Sequence, residues 1–357
     1  MGQTFLTQAA RIGRFAARIL ANASAKEKLA KLGDQHMLPK NVGDTLIFRR
    51  WLPYGATATS GDSQNRFFQN ANGDRTASIV QAHQTVEGFT PTAESISAVD
   101  IPVTMQQYSC LFSWTDKTAD LYEDDIPAQM KLNIANRMTF VIELKIYGEL
   151  KAGTNQYFGG SGATTIATTY GPITLDLVRR IVANLDANHA QPITKTLSPG
   201  KDYGTVPVRM GYIVLHHSDL SPDIRNMSGF RDAIEYASGS PMPDELGKVE
   251  EFRFIKHPDL PPLQNAGAVV ATAVNMFSTS GANADVYPFI VLAEDCFGQV
   301  ALRGMTGVKP TFLPTNQVDK ADIFGQRGYA GAMFWKAVVR LNEGWMAVGN
   351  VCRTSLA

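Results

Sequence analysis

The sequence predicts an α+β fold, and three observations carry that expectation. An apolar residue recurs at every fourth position from Ile126 to Leu150, the mark of one long helix. Between Met210 and Leu292, short β-branched and aromatic runs alternate with Gly- and Pro-rich connections, which reads as a compact α/β block. Between Pro53 and about Thr90 the chain turns polar and Gly-, Ser- and Asn-rich, with few large apolar side chains.

Bulk composition sets the outer bounds. A chain of 357 residues with 44% hydrophobic and 18% charged residues can bury a sizeable core. Lys plus Arg and Asp plus Glu both number 33, so the net charge is zero. That balance argues against a protein that wraps nucleic acid, which needs a basic excess, and it permits close association of copies. The charge is uneven. Residues 1–50 hold nine basic and three acidic residues, +6, which leaves −6 for the remainder. Cys110, Cys296 and Cys352 have no metal-like spacing and read as free thiols of an intracellular protein. No apolar run is long enough to span a membrane, and the N-terminus has no signal-peptide core.

Residues 4–32 read as an amphipathic helix or helix pair. Phe5, Ala9, Ile12, Phe15 and Ile19 share one face, and Arg11, Arg14 and Arg18 another. A partner-docking arm is preferred here over a membrane-surface helix. Leu38-Pro39 starts an extended stretch, and Thr45–Phe48 is a strand. In the polar segment, Asn72-Gly73 has the chemistry of a two-residue hairpin turn between Arg66–Gln69 and Ala77–Val80. So polar a hairpin, with Phe67 and Phe68 its only aromatic residues, needs another surface to lie on. Residues 96–114 resume strand character. Asp124 and Asp125 then cap the long helix, expected over 125–152, with Pro127 in its first turn and Gly153 past its end. A four-residue stripe drifts about 40° per step against the 3.6-residue turn, so this helix must cross its sheet diagonally or be covered on several sides. A glycine- and threonine-rich loop at 157–169 and a second helix at 174–185 follow. In the α/β block, 210–215, 249–255, 269–274 and 287–292 read as strands and 219–236 as mostly helical.

Chemistry was sought along the whole chain. The run GGSGA at 159–163 lacks both the final Gly and the strand-turn-helix setting of a nucleophile elbow. No phosphate-binding loop or dinucleotide fingerprint occurs. His216-His217-Ser218-Asp219 is the best acid-base candidate, but adjacent histidines on a strand face opposite ways. A strand-end pair with Asp219 capping the next helix is the simpler reading. Lys248-Val-Glu-Glu-Phe-Arg253 suits an exposed strand edge or an ion-pair surface between subunits. No catalytic, cofactor-binding or metal-binding residue is assigned.

Seven stretches, taken in order, resemble one family. They are LPKNVGDTLIFRRWLPY (38–54), VEGFTP (86–91), QYSCLFSWTDKTADLYEDD (107–125), GYIVLHHSDLSPDIRNMSGF (211–230), VEEFRFIKHPDLP (249–261), VYPFIVLAEDCFGQVALRG (286–304) and DIFGQRGYAGAMFWKAVVRLNEGWMAV (322–348). The series resembles the major capsid proteins of tailed bacteriophages, in particular the N-four-like podophage branch. It departs from that pattern at Ile323, often Pro, and at Ser109, usually Gly.

The resemblance implies a Hong Kong phage-type coat fold. Its parts would be an N-terminal arm (1–40), a peripheral-domain strand (41–52), an extended loop (53–95) and a peripheral domain (96–190) holding the spine helix. An axial domain (191–308) and a C-terminal hairpin returning to the peripheral domain (309–357) would complete it. The implied function is a coat subunit without catalytic activity that forms hexamers and pentamers of an icosahedral shell around double-stranded DNA. Implied partners are further copies, a scaffolding protein, a portal and a decoration protein, with assembly in the host cytoplasm. The alternatives are a hydrolase using His216, His217 and Asp219, or a bacterial nanocompartment shell. Subunit contacts are expected at Arg11, Arg14, Arg18, Arg66, Phe67, Phe68, Asn72, Gly73, Glu250, Arg253, Gln326 and Arg327. In the final hairpin, Met333, Trp335, Ala337, Val339 and Leu341 make one apolar face. Phe334, Lys336, Val338 and Arg340 make a mixed one. Asn342-Glu343-Gly344 is the expected turn, with Gly344 left-handed, and the hairpin is expected to pack on the long helix.

Overall fold

The computed structural model describes residues 28–51, 85, 87–88, 90, 98–121, 126–197, 205–235, 242, 244–303, 308–318 and 322–355. The segment 1–27, nearly all of 53–95 with its Asn72-Gly73 turn, and the expected caps Asp124 and Asp125 lie outside the described residues.

The described chain begins with a 3-10 turn, Leu29–Lys31, and strand β1, Asp34–Leu38, so Leu38-Pro39 ends a strand instead of starting one. Strand β2, Thr45–Trp51, pairs antiparallel with β3, Ala98–Thr104, as a two-stranded ribbon. Strand β4, Gln106–Thr115, and the short helix α1, Asp116–Leu121, lead to the long helix α2, Ile126–Lys151. Its 26 residues span about 39 Å. Beyond it lie β5, Gln156–Phe158, and α3, Leu175–Ala187. Thr174 caps α3, its side chain accepting the Leu177 N–H.

A second run of strands follows: β6, Ile193–Leu197, and β7, Thr205–His217. The region expected to be mostly helical holds only α4, Ser221–Arg225, two 3-10 turns and the two-residue β8, Arg231–Asp232. Pro222 starts α4, and Gly229, at φ +82°, turns the chain away soon after. The single strand expected at 249–255 is two, β9, Glu245–Val249, and β10, Phe252–His257, joined by a turn with Glu250 at φ +50°. Strand β11, Val286–Leu292, is followed by β12, Phe297–Leu302, β13, Lys309–Leu313, β14, Arg327–Arg340, and β15, Met346–Cys352. Residues 269–274, expected to be a strand, form a loop pinned by a single bridge from Val269 to Asn283.

Two sheets organise these strands. One runs β1-β12-β14-β13, with β4 on the other side of β14. The other runs β5-β15-β11-β7-β10-β9-β8, with β6 on β7. Both faces of the larger sheet are covered. Tyr212, Val214, Phe252, Phe254, Phe289 and Val291 meet Leu177, Val178, Ile181 and Leu185 of α3. Ile213, Leu215, Ile255, Ile290 and Leu292 meet Ile146, Tyr147 and Leu150 of α2. This is why β11 reads as a continuous apolar run, the pattern of strands buried on both sides.

The winding stripe of α2 has a direct counterpart. Its earlier turns, through Ile134 and Met138, pack on Trp114, Ala330, Ala332 and Phe334 of the smaller sheet. Its last turns, through Ile146 and Leu150, pack on the larger one. One helix therefore serves two sheets.

The expected C-terminal hairpin does not form. Strand β14 packs on α2 as anticipated, but through Ala330, Ala332 and Phe334, while the apolar face with Trp335, Ala337 and Val339 covers Val103, Leu46 and Phe48 of the ribbon. At Asn342 the chain leaves the smaller sheet. Asn342 caps a 3-10 turn, Glu343–Trp345, by accepting the Gly344 N–H at 3.1 Å, and Gly344 is not left-handed. Strand β15 then inserts between β11 and β5 of the larger sheet. The compact block expected at 191–308 thus gains β5, α3 and β15 and gives up β12 to the other sheet.

Candidate functional site

The histidine candidates separate on inspection. His216 is fully buried, its ring 6.0 Å from Phe254, and Nδ1 donates to the His217 carbonyl at 2.8 Å. Burial pushes it down to about 4, which keeps the ring neutral. His217 is lowered too, chiefly by burial, and its Nδ1 accepts the Asp219 N–H at 3.1 Å. The capping side chain is therefore His217, not Asp219 as expected. The Asp219 carboxylate lies 3.5 Å from His217 Nδ1, takes the Tyr287 hydroxyl at 3.3 Å and faces Arg353 at 3.7 Å. His216, His217 and Asp219 thus serve the end of β7 and do not converge on a common space. Among the described residues no group of His, Cys, Asp and Glu is arranged to hold a metal ion, and no helix is long and apolar enough to cross a membrane.

Of the expected subunit contacts, Arg11, Arg14, Arg18, Arg66, Phe67, Phe68, Asn72 and Gly73 lie outside the described residues. Arg253 is a correction. Strand β10 lies between β7 and β9, so it is not a sheet edge, and the Arg253 side chain is 5% exposed. Its guanidinium makes two bonds to Glu245, at 3.0 and 2.6 Å, and Glu245 is fully buried. Glu250 sits at the surface on the β9–β10 turn, bonded twice to Arg179 at 2.9 and 2.6 Å. Gln326 and Arg327 are exposed at the entry to β14. There the Gln326 carbonyl accepts the Asp116 N–H, and the Arg327 N–H donates to Asp322. The next residue is Gly for a steric reason: a Cβ on Gly328 would lie 2.3 Å from the Trp114 indole.

Two further features were not read from the sequence. A buried carboxylate, Glu143 in α2, gathers three backbone N–H groups of residues 28–30 and the ring of His257. The other is an apolar surface. Leu111, Leu121, Leu132, Val318, Ile323 and Phe324 stand 57 to 81% exposed, and every residue of the edge strand β13 is exposed. Side chains of this size outside a core mark contact surfaces when they gather at one end of a molecule. A cleft of about 510 Å³ lies between the ribbon, α2 and β14, lined in part by Arg50, Lys145, Glu149, Lys336 and Arg340. Its charges are largely internal pairs, such as Lys145 with Glu149 at 2.8 Å. Cys296 and Cys352 are buried, and burial raises both thiols to about 12.

No family model matches the chain. It is similar to the major capsid protein of Pseudomonas phage KPP21, at 23% identity over 267 residues, covering 68% of this chain and 65% of that protein's length. Solved structures resemble it over nearly its full length. The capsid chain of cyanophage P-SCSP1u has 13% identity and a TM-score of 0.57, covering 96% of this chain and 93% of that one. The capsid chain of Ralstonia phage GP4 has 10% identity and a TM-score of 0.58, with coverage of 98% and 100%. The head structure of Helicobacter pylori bacteriophage KHP40 gives 11% identity and a TM-score of 0.58, with coverage of 96% and 95%. The fold of this chain is that of phage capsid chains.

Proposed function

We propose that this chain is the major capsid protein of a tailed phage, a structural subunit that assembles into the capsid shell. The observation that carries the reading is the two-way coverage: the likeness takes in almost all of this chain and almost all of each capsid chain, leaving little room for an inserted catalytic unit. The scattered burial of the candidate histidines and the exposed apolar side chains around β13 support it.

On this reading the fold is the Hong Kong phage type. The segment 1–40 is its arm, 53–95 its extended loop lying over a neighbouring copy, and α2 its spine. Copies form hexamers and pentamers that close around double-stranded DNA, within the host cytoplasm and with scaffolding, portal and decoration partners. Many modest contacts per subunit stabilise the shell collectively. A net charge of zero suits a wall that contains DNA without gripping it.

Electron microscopy of cells expressing the chain with a co-expressed scaffolding protein tests the proposal. Closed shells or hexagonal sheets are expected, and discrete small oligomers alone would refute it. Replacing His216 and His217 together by Ala should leave particles intact if no hydrolase is present. Shells that exclude DNA but enclose a folded protein would support the nanocompartment alternative.

A further inference from the structure

The described chain begins at an unusual anchorage. Glu143 lies in the middle of α2 and is 3% exposed. Its Oε1 accepts the N–H groups of Lys28 and Ala30, each at 3.1 Å, and its Oε2 accepts that of Leu29 at 3.0 Å. His257 Nε2 stands 3.2 Å from the same Oε2. One carboxylate thus satisfies the start of the whole Leu29–Lys31 turn, where Lys28 provides no side-chain cap of its own.

Hydrogen-bond geometry fixes the proton positions. The Asp259 N–H donates to His257 Nδ1 at 3.1 Å, so that nitrogen presents a lone pair and the ring proton sits on Nε2, pointing at Glu143. The set therefore consists of a neutral imidazole and a carboxylate. The other titratable or charged groups packed around it are Lys28, paired with Asp244 at 3.1 Å and bonded to the Lys256 carbonyl, and His216 and His217, which lie opposite Lys256 and His257 in register. An added proton breaks the set wherever it lands. On Glu143 it removes an acceptor among four donors, and on His257 Nδ1 it confronts the Asp259 N–H.

Little else secures this segment. Between residues 28 and 33 only Leu29 and Gly33 are buried, and the Ala30 carbonyl takes amide donors from Gln299 and Gln35 at 3.1 and 3.2 Å. From Asp34 onward the chain is held separately by the parallel ladder of β1 on β12.

We propose that residues 28–33 form a releasable strap latched by the Glu143 carboxylate, and that proton uptake at this site opens the strap while β1 stays paired. Opening hands about 20 Å of extended chain to the N-terminal side, at roughly 3.3 Å per residue. The proposal stands independently of the coat reading.

Hydrogen-exchange mass spectrometry on the full chain tests it, with protection factors for peptides over 28–33, 34–38, α2 and β10 measured from about pH 8 to about pH 4. The strap peptide should lose at least tenfold protection on acidification while the other three keep theirs. Glu143→Gln, whose amide group opposes the N–H donors, should show the unprotected strap at every pH. Trypsin should then cut after Lys31, a bond shielded in the closed form. Equal protection of the strap across the pH range, or loss in all four peptides together, overturns the proposal. If Glu143→Gln fails to fold, the wild-type pH series decides alone.

Discussion

Replacing Arg253 by Ala should unfold the subunit far more readily, and the size of the effect follows from the geometry. The Glu245 carboxylate is fully buried and accepts two guanidinium bonds, at 3.0 and 2.6 Å, plus the Met242 N–H at 2.7 Å. Removing Arg253 leaves that carboxylate in a dry setting with its main partner gone. Breaking one side of such a buried pair costs about 3–5 kcal/mol. The double replacement Glu245→Leu with Arg253→Met removes the charge altogether. Substituting apolar residues for a buried pair is neutral to stabilising, but the Met242 N–H loses its acceptor at a cost of about 1–3 kcal/mol. The two terms roughly cancel, so the double variant should unfold near the wild type, with a coupling of about 3 kcal/mol. Urea unfolding of the unassembled subunit, followed by Trp fluorescence, reads this directly. If Arg253→Ala shifts stability by less than about 0.5 kcal/mol, within the range of ordinary surface substitutions, the pair is not a fold contact and the reasoning fails.

Other outcomes are equally open to measurement. A Cβ on Gly349 would stand 2.0 Å from the Phe289 ring, so Gly349→Ala should destabilise by about 1–3 kcal/mol in the same assay, and Phe289→Leu should remove most of that penalty. Met138, 2% exposed beneath β14, should cost about 2–5 kcal/mol as Ala, read from the urea midpoint. His216 is held down to about 4 when folded, so between that value and the ordinary histidine value the unfolded chain binds more protons. Stability therefore falls as pH drops through this window, by about 3 kcal/mol in full. His216→Phe should flatten that part of the stability-against-pH curve, and an unchanged slope would show that His216 is not its source.

What the sequence disclosed follows from how local each signal is. The long helix was legible because its period-four stripe and Gly153 are local, and so was β11, whose unbroken apolar run reports burial on both faces. The crossing of β15 was not legible. Asn342-Glu343-Gly344 suits a hairpin, and only the distant strands β5 and β11 decide that Met346–Cys352 pairs with them. Arg253 was misread for a related reason. Alternating charges look like an exposed edge, yet the partner that draws Arg253 inward is Glu245, across a turn that the charge pattern hid. Glu143 gave no warning at all, since a lone Glu in a helix looks solvated until the chain 113 to 115 residues earlier folds onto it.

The position of β15 also bears on how this chain is made. The larger sheet has its last-synthesised strand near its middle, and β5 is attached to that sheet only through it. Likewise β1, near the start, waits for β12 some 260 residues later. Neither sheet can be completed while the ribosome is still working. A nascent chain stalled before Met346 would present β11 as a bare apolar edge, an invitation to pair with whatever strand is nearby. Final folding is therefore deferred until release, and truncated products should be insoluble instead of being slightly smaller competitors of the finished subunit.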